Sequence, residues 1–263
     1  MKSVDTHAHV FKRGLKLADV RRYAPGYDVL VDDYLRELDA HAISHGVLVQ
    51  PSFLGTDNSF MVDALRRHPQ RLRGIAMVDP DVSAAELDEL ADGGVVGIRL
   101  NLVGGAAIPD FEAEPWPVLL RNLAQREWQV EVHREARDLP MIVGRLLDAG
   151  VNVVVDHMGR PDATLGVDDP GFRYLLSVGA TQRIWVKLSG AYRSSAQIAA
   201  AAAPLLRRAF GPERLVWGSD WPHTQFEKTV QYAQTRAALD AWVPDPDERG
   251  IILGETPVRL FRF

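Results

Sequence analysis

Eight short apolar runs, each followed by a stretch with helical spacing, constrain this chain more than any other feature. The runs are residues 2–9, Gly46–Gln50, Leu72–Val78, Val95–Leu100, Gln129–His133, Val151–His157, Ile184–Leu188 and Leu215–Asp220. Helices are expected from Asp32 to about Ser44, with Leu35, Leu38 and Ile43 inward, and over 58–67, 83–91, 115–127, 139–149, 170–178, 195–210, 227–241 and 246–261. Residues 10–31 read as a long irregular loop, and Val103–Glu114 as a glycine-rich one. Short strands separated by helices imply parallel βαβ units. The run Val151–His157 is apolar almost throughout, which suits a strand buried on both faces. Eight such units in 263 residues predict an α/β protein with one domain over 1–263, a closed (β/α)8 TIM barrel with an extra C-terminal helix. An open doubly wound sheet is the alternative.

Composition removes several function classes. A formal net charge of -5 argues against nucleic acid as a partner, although a local arginine cluster can still hold an anion. With no cysteine, disulfides, thiolate metal sites and cysteine nucleophiles are excluded. No apolar run reaches the length of a membrane span, and the N-terminus reads straight into a strand. A cytoplasmic protein without a membrane partner is the expectation.

A barrel of this kind carries its chemistry at the C-terminal ends of the strands. Here those ends are polar. His7 and His9 close the first run, and period-two alternation puts them on one side. Gln50 and Ser52 follow the second, Arg99 and Asn101 the fourth, His133 the fifth. Asp156, His157 and Arg160 follow the sixth, Lys187, Ser189, Tyr192 and Arg193 the seventh, Asp220 and His223 the eighth. Each has an ordinary structural use. His133 could be a core histidine, Asp220 a helix cap, Lys187 the partner of Asp156 or Asp220 in a barrel-interior ion pair, and the arginines surface groups. The joint pattern points to catalysis. Imidazoles and one carboxylate are ligand types for zinc or a similar ion, which brings the pKa of bound water down to about 7. Without an ion, Asp220 could act as general base while histidines polarise a carbonyl.

Three segments resemble the amidohydrolase superfamily: Val4-Asp-Thr-His7-Ala-His9, Val155-Asp-His157-Met-Gly-Arg160-Pro, and Trp217-Gly-Ser-Asp220-Trp-Pro-His223. Gln50-Pro-Ser52-Phe, Gly97-Ile-Arg99-Leu-Asn and Val186-Lys187-Leu-Ser-Gly-Ala-Tyr192-Arg193 are similar to the branch of 2-pyrone-4,6-dicarboxylate lactonase and related lactonases. The resemblance implies hydrolysis of a lactone, with Asp220 as base and His7, His9 and His157 binding or polarising the carbonyl. It implies Ser52, Arg99, Arg160, Tyr192 and Arg193 as substrate-binding groups. His133 departs from the pyrone lactonase pattern, which has tyrosine there. It resembles instead members that hold one divalent ion, implying zinc or manganese on His7, His9, His133 and Asp220, with no cofactor as the alternative. Arg99 stands where dinuclear members have a carboxylate or modified lysine, so two ions are not expected. A metal-dependent decarboxylase and a non-catalytic small-acid-binding barrel are the competing readings. Arginine forks match carboxylates bidentately, so convergence of Arg99, Arg160 and Arg193 would favour a carboxylated or sulfonated lactone. A homo-oligomer is possible.

Overall fold

The computed structural model describes residues 2–181 and 183–263. Its strands are β1 Val4–Ala8, β2 His45–Val49, β3 Leu72–Ala76, β4 Val95–Asn101, β5 Gln129–His133, β6 Asn152–Val155, β7 Ile184–Leu188 and β8 Leu215–Trp217. They form one parallel sheet in sequence order. The sheet closes where the chain after β8 meets β1: Asp220 N–H donates to His7 O at 2.8 Å and His9 N–H to Trp221 O at 2.8 Å. This is the expected (β/α)8 barrel.

The helices between strands are α1 Val31–Ala40, α2 Ser59–Arg67, α3 Ala84–Asp92, α4 Trp116–Gln125, α5 Leu139–Asp148, α6 Pro170–Ser177 and α7 Ala196–Phe210. α8 Tyr232–Trp242 follows β8; α9 Pro246–Gly250 then runs through a π-helical turn at Ile251–Glu255 into α10 Thr256–Leu260. Caps set several starts. Ser83 accepts from Glu86 N–H, while the Glu86 carboxylate accepts from Ser83 N–H, satisfying two orphan donors. Apolar helix faces pack on the outer surface of the barrel, with Trp128, Phe172 and Trp217 buried there.

Inside the barrel, Val4, Val47, Ile75, Val154 and Val216 form an apolar layer. Leu260 and Phe261 plug the N-terminal mouth beneath it. The C-terminal segment therefore seals the end opposite the strand tips, and α10 has a clear packing role.

Several boundaries differ from expectation, each for a local reason. α1 stops at Ala40 rather than near Ser44, because Ala42 takes a left-handed φ of 56° and turns the chain into β2. β3 ends at Ala76 because the Asn58 side chain bonds both Met77 N–H (3.0 Å) and Met77 O (2.8 Å), in place of a neighbouring strand. β6 ends at Val155 and β8 at Trp217. Beyond them His157 and Asp220 have φ of 52° and 62°, which no strand accommodates.

Candidate active site

Val4-Asp-Thr-His-Ala folds as a fully buried strand, so the polar residues in it must find partners inside. Asp5 does so across the barrel seam. It accepts from Ser219 N–H at 2.8 Å, Ser219 Oγ at 2.6 Å and Tyr232 OH at 3.1 Å. Those bonds fix the backbone just before Asp220. Gly218 allows the approach, since a Cβ there would fall 2.7 Å from the His7 Cβ. β1 and the end of β8 thus present His7, His9 and Asp220 side by side.

Asp220 is fully buried and its two oxygens differ. Oδ2 accepts from Arg193 Nε at 2.6 Å and from the Tyr192 hydroxyl at 2.7 Å. Oδ1 accepts no hydrogen bond, and looks at His9 Nε2 (3.5 Å) and His7 Nε2 (3.8 Å). Burial works to raise the Asp220 pKa, but Arg193 and His157 outweigh it and hold the carboxyl well below its ordinary range. It is a carboxylate at neutral pH.

Three of the histidines, His7, His133 and His157, are neutral for a shared reason. Burial pushes His7 and His133 well below 6.5, with Lys187 adding to it at His7 and Arg99 at His133; burial brings His157 to about 3. His9 donates from Nδ1 to Val49 O at 2.7 Å, which turns Nε2 toward Asp220. His157 Nδ1 bonds Ser189 Oγ at 2.9 Å, and its Nε2 is buried without a partner, 3.8 Å from Asp220 Oδ2.

His133 sits apart from this convergence. Its Nδ1 receives Arg99 Nη2 at 3.0 Å, and its Nε2 faces Arg160 Nη1 at 3.3 Å. The ligand atoms of His7, His9 and Asp220 lie within 4.8 Å of one another, as do those of His7, Asp156 and His157; neither group includes His133. Of the four residues expected around an ion, three come together and the fourth faces two guanidinium groups.

An ion layer lies beneath. Lys187 Nζ reaches Glu131 Oε1 at 2.7 Å, Thr6 O at 3.1 Å and Asp156 Oδ1 at 3.4 Å. Asp156 also takes Arg99 Nε at 3.0 Å and lies 3.4 Å from His7 Nδ1. Lys187 is thus the interior ion-pair residue expected, with Glu131 as a partner the sequence did not single out. Burial raises Glu131 to about 7 against the pull of Lys187.

The mouth above is small, about 60 Å³, and is lined in part by His9, Ser52, Arg99, His133 and Arg193. Arg160 and Tyr192 enter the site through His133 and Asp220 instead. Arg22 and Tyr23 also line the mouth, from the loop over 10–31, and were not legible as site residues. Their segment carries no periodicity. Its hold comes from Phe11, Val29, Phe53 and Leu54, which pack together with Tyr23 and Tyr27. Left-handed φ values at His157, Met158, Arg160, Asp220 and His223 cluster at the same rim. Such backbone costs about 1–3 kcal/mol per residue and collects at functional sites.

The amidohydrolase family profile matches residues 4–263. The chain belongs to the amidohydrolase family. Among the relatives of this amidohydrolase is the 4-sulfomuconolactone hydrolase of Hydrogenophaga intermedia, 30% identical over 269 residues, covering 98% of this chain and 88% of that one. The 2-pyrone-4,6-dicarboxylate hydrolase of Comamonas testosteroni is 35% identical over 237 residues, covering 84% and 77%. A solved structure of a probable 2-pyrone-4,6-dicarboxylic acid hydrolase from Acinetobacter baumannii, with citric acid bound, superposes with a TM-score of 0.96 at 39% identity over 100% of both chains.

The donor set of this amidohydrolase fits a divalent ion. His7 Nε2 and Asp220 Oδ1 are buried without partners, and His9 Nε2 points at the same spot. Imidazole nitrogens and a carboxylate oxygen are the ligand types that zinc or manganese takes; His7 would serve with its proton on Nδ1, which lies 3.4 Å from Asp156 Oδ1 and 3.1 Å from Lys187 Nζ. The second group fits less well, because Asp156 is already engaged by Arg99 and Lys187. No helix among the described residues is long and apolar enough to cross a membrane.

Proposed function

We propose that this amidohydrolase opens the ring of a lactone bearing acidic substituents, with water as the nucleophile. The observation that carries the reading is the divided Asp220: one oxygen held by Arg193 and Tyr192, the other bare and facing imidazole nitrogens. The relatives named above are named for a lactone dicarboxylate and a sulfonated lactone, which supports the substrate class.

Asp220 Oδ1 accepts a proton from water as the water oxygen bonds to the lactone carbonyl carbon. The bond from that carbon to the ring oxygen then breaks. The ring oxygen takes the proton from Asp220, leaving a ring-opened acid. Asp220 is a weak base while Arg193 holds it, since effective bases have a pKa near the working pH. A substrate carboxylate that draws Arg193 away raises the basicity of Asp220 when it is needed. With Ser189 donating to Nδ1, His157 carries its proton on Nε2 and polarises the carbonyl. Ser52, Arg99, Arg160 and Arg193 bind the acidic groups. His7, His9 and Asp220 would hold one divalent ion, which supplies Lewis acidity to carbonyl and water.

A panel of carboxylated pyrones, sulfonated and carboxylated muconolactones and neutral aldonolactones tests this. The expected product gains one water in mass, with the acidic lactones preferred. Release of carbon dioxide from the same compounds would establish the decarboxylase reading instead. Binding without any turnover would leave the small-acid-binding barrel.

A further inference from the structure

Arg22 lies over the mouth of the barrel, on a loop with no catalytic motif. It lines the recess with Ser52, Arg99 and Arg193. Its loop is tied down: Phe11 and Val29 pair as an antiparallel bridge, and Ala18 N–H donates to Phe53 O at 2.9 Å. Arg22 rests on Gly104, whose φ of +76° is a glycine conformation, and a Cβ there would meet Arg22 Cδ at 2.6 Å. The loop after β4 is therefore shaped to let the side chain pass over it.

The charges around the mouth do not balance. Arg99 is ion-paired with Asp156 and Arg193 with Asp220. Among the described residues, Arg22 and Arg160 make no ion pair. Glu135 is an acid whose charge acts on both, and it already faces Arg134 at 3.5 Å and accepts Gly104 N–H. Burial, Arg99 and Arg193 all lower the Arg22 pKa, so the guanidinium stands in a cationic field it would leave if folding were the sole concern. Two uncompensated guanidinium groups, Arg22 lining the mouth and Arg160 standing against its lining residue His133, match a ligand with two negative charges.

We propose that Arg22 binds a second acidic group on the substrate and so sets the preference for a doubly charged lactone over a singly charged one. The inference rests on the lactone hydrolase reading for the identity of the substrate. Arg160, beside His133, takes one group, and Arg22, over the mouth, takes the other.

The test compares wild type, Arg22→Gln and Arg22→Lys with 2-pyrone-4,6-dicarboxylate and 2-pyrone-6-carboxylate, reading kcat and KM separately. Citrate affinity is measured by calorimetry on the same proteins. Arg22→Gln should raise KM for the diacid about 10- to 100-fold, the range of one charge-assisted hydrogen bond, with kcat changed less than about threefold. The monoacid KM should stay within about twofold, citrate should bind at least about tenfold more weakly, and Arg22→Lys should recover part of the loss. A diacid KM unchanged in Arg22→Gln, or equal losses for both acids, overturns the proposal. If wild type opens neither lactone, the substrate reading fails by itself. Citrate affinity then decides: weakened binding in Arg22→Gln sustains the anion site, and unchanged binding removes it.

Discussion

The rim of this barrel has two unlike halves. Where β1 meets the end of β8, the chemistry on offer is ligand atoms: His7 Nε2, His9 Nε2 and Asp220 Oδ1 converge. Across β4, β5 and the end of β6, it is donors: Arg99 and Arg160 aim N–H groups at both nitrogens of His133. A neutral imidazole has one lone pair, so His133 can satisfy one of those arginines; Arg99 has the Asp156 carboxylate besides, and Arg160 makes no ion pair among the described residues. The same residue type thus does opposite work on opposite sides. Neighbours decide which: a backbone carbonyl fixes the His9 proton on Nδ1, whereas guanidinium groups face both nitrogens of His133. On the proposed function, one half holds an electrophile or activates water and the other holds negative charge.

The largest effect separating the halves should come from Asp220→Asn. It keeps the Oδ2-side hydrogen-bonding shape but removes the base and the anionic ligand. We expect kcat to fall by about 10³-fold, within the range for loss of a general base. Steady-state rates on the best lactone of the panel check it, and a loss below about tenfold would move the base elsewhere.

Next comes the layer that joins the halves. Asp156 takes Arg99 from the donor side and lies against His7 on the other, with Lys187 between Asp156 and Glu131. Lys187→Met leaves buried carboxylates uncompensated and should cost about 3–5 kcal/mol in denaturant unfolding. Adding Glu131→Gln should restore much of that. A single mutant within about 1 kcal/mol of wild type would mean that the charges are solvated or protonated in place.

A smaller effect follows from the buried imidazoles. Burial lowers His223 to about 4 and His157 to about 3. Between pH 6.5 and those values the unfolded chain binds protons that the folded chain refuses. Stability from this source is therefore complete above 6.5 and is lost as pH falls through the window. For His223 it amounts to at most about 3 kcal/mol. Glu131 runs the other way, since its raised pKa of about 7 makes folding less favourable as pH climbs from 4.5. The wild-type curve mixes both, so the difference from His223→Gln isolates the histidine. Thermal midpoints measured from pH 4 to 7 should fall less steeply in acid for the variant, and parallel curves would refute the assignment.

What the sequence revealed follows the same division. Alternating strands and helices are local signals, and all eight strands were placed, with the polar residues at their tips. His7, His9 and Asp220 were legible as a group because barrel geometry alone carries the ends of β1 and β8 to one seam. The surroundings of His133 were not. Arg99 is on β4, and Arg160 comes beyond β6 with a left-handed φ of 47°, so their meeting depends on strand register and backbone strain. Strand ends were overrun at β6 and β8 because no residue type there marks the change in sign of φ at His157 and Asp220. Arg22 was missed for a third reason: its loop is held by scattered aromatics, a pattern with no period to detect.

The smallest expected effect is also the sharpest test of the two-halves picture. If an ion belongs to the half where His7, His9 and Asp220 converge, His9→Gln should lower bound zinc or manganese to well under half of the wild-type content after equilibration and desalting. His133→Gln should leave that content unchanged, because the imidazole it removes faces Arg99 and Arg160 rather than His7, His9 and Asp220. The His133 variant keeps an acceptor for one guanidinium, so its stability should move by about 1 kcal/mol or less, the worth of one ordinary hydrogen bond. Metal content by elemental analysis, read without reference to turnover, separates the outcomes. Equal loss of metal in both variants would place His133 among the ligands, and would require Arg99 and Arg160 to swing away from it when the ion binds.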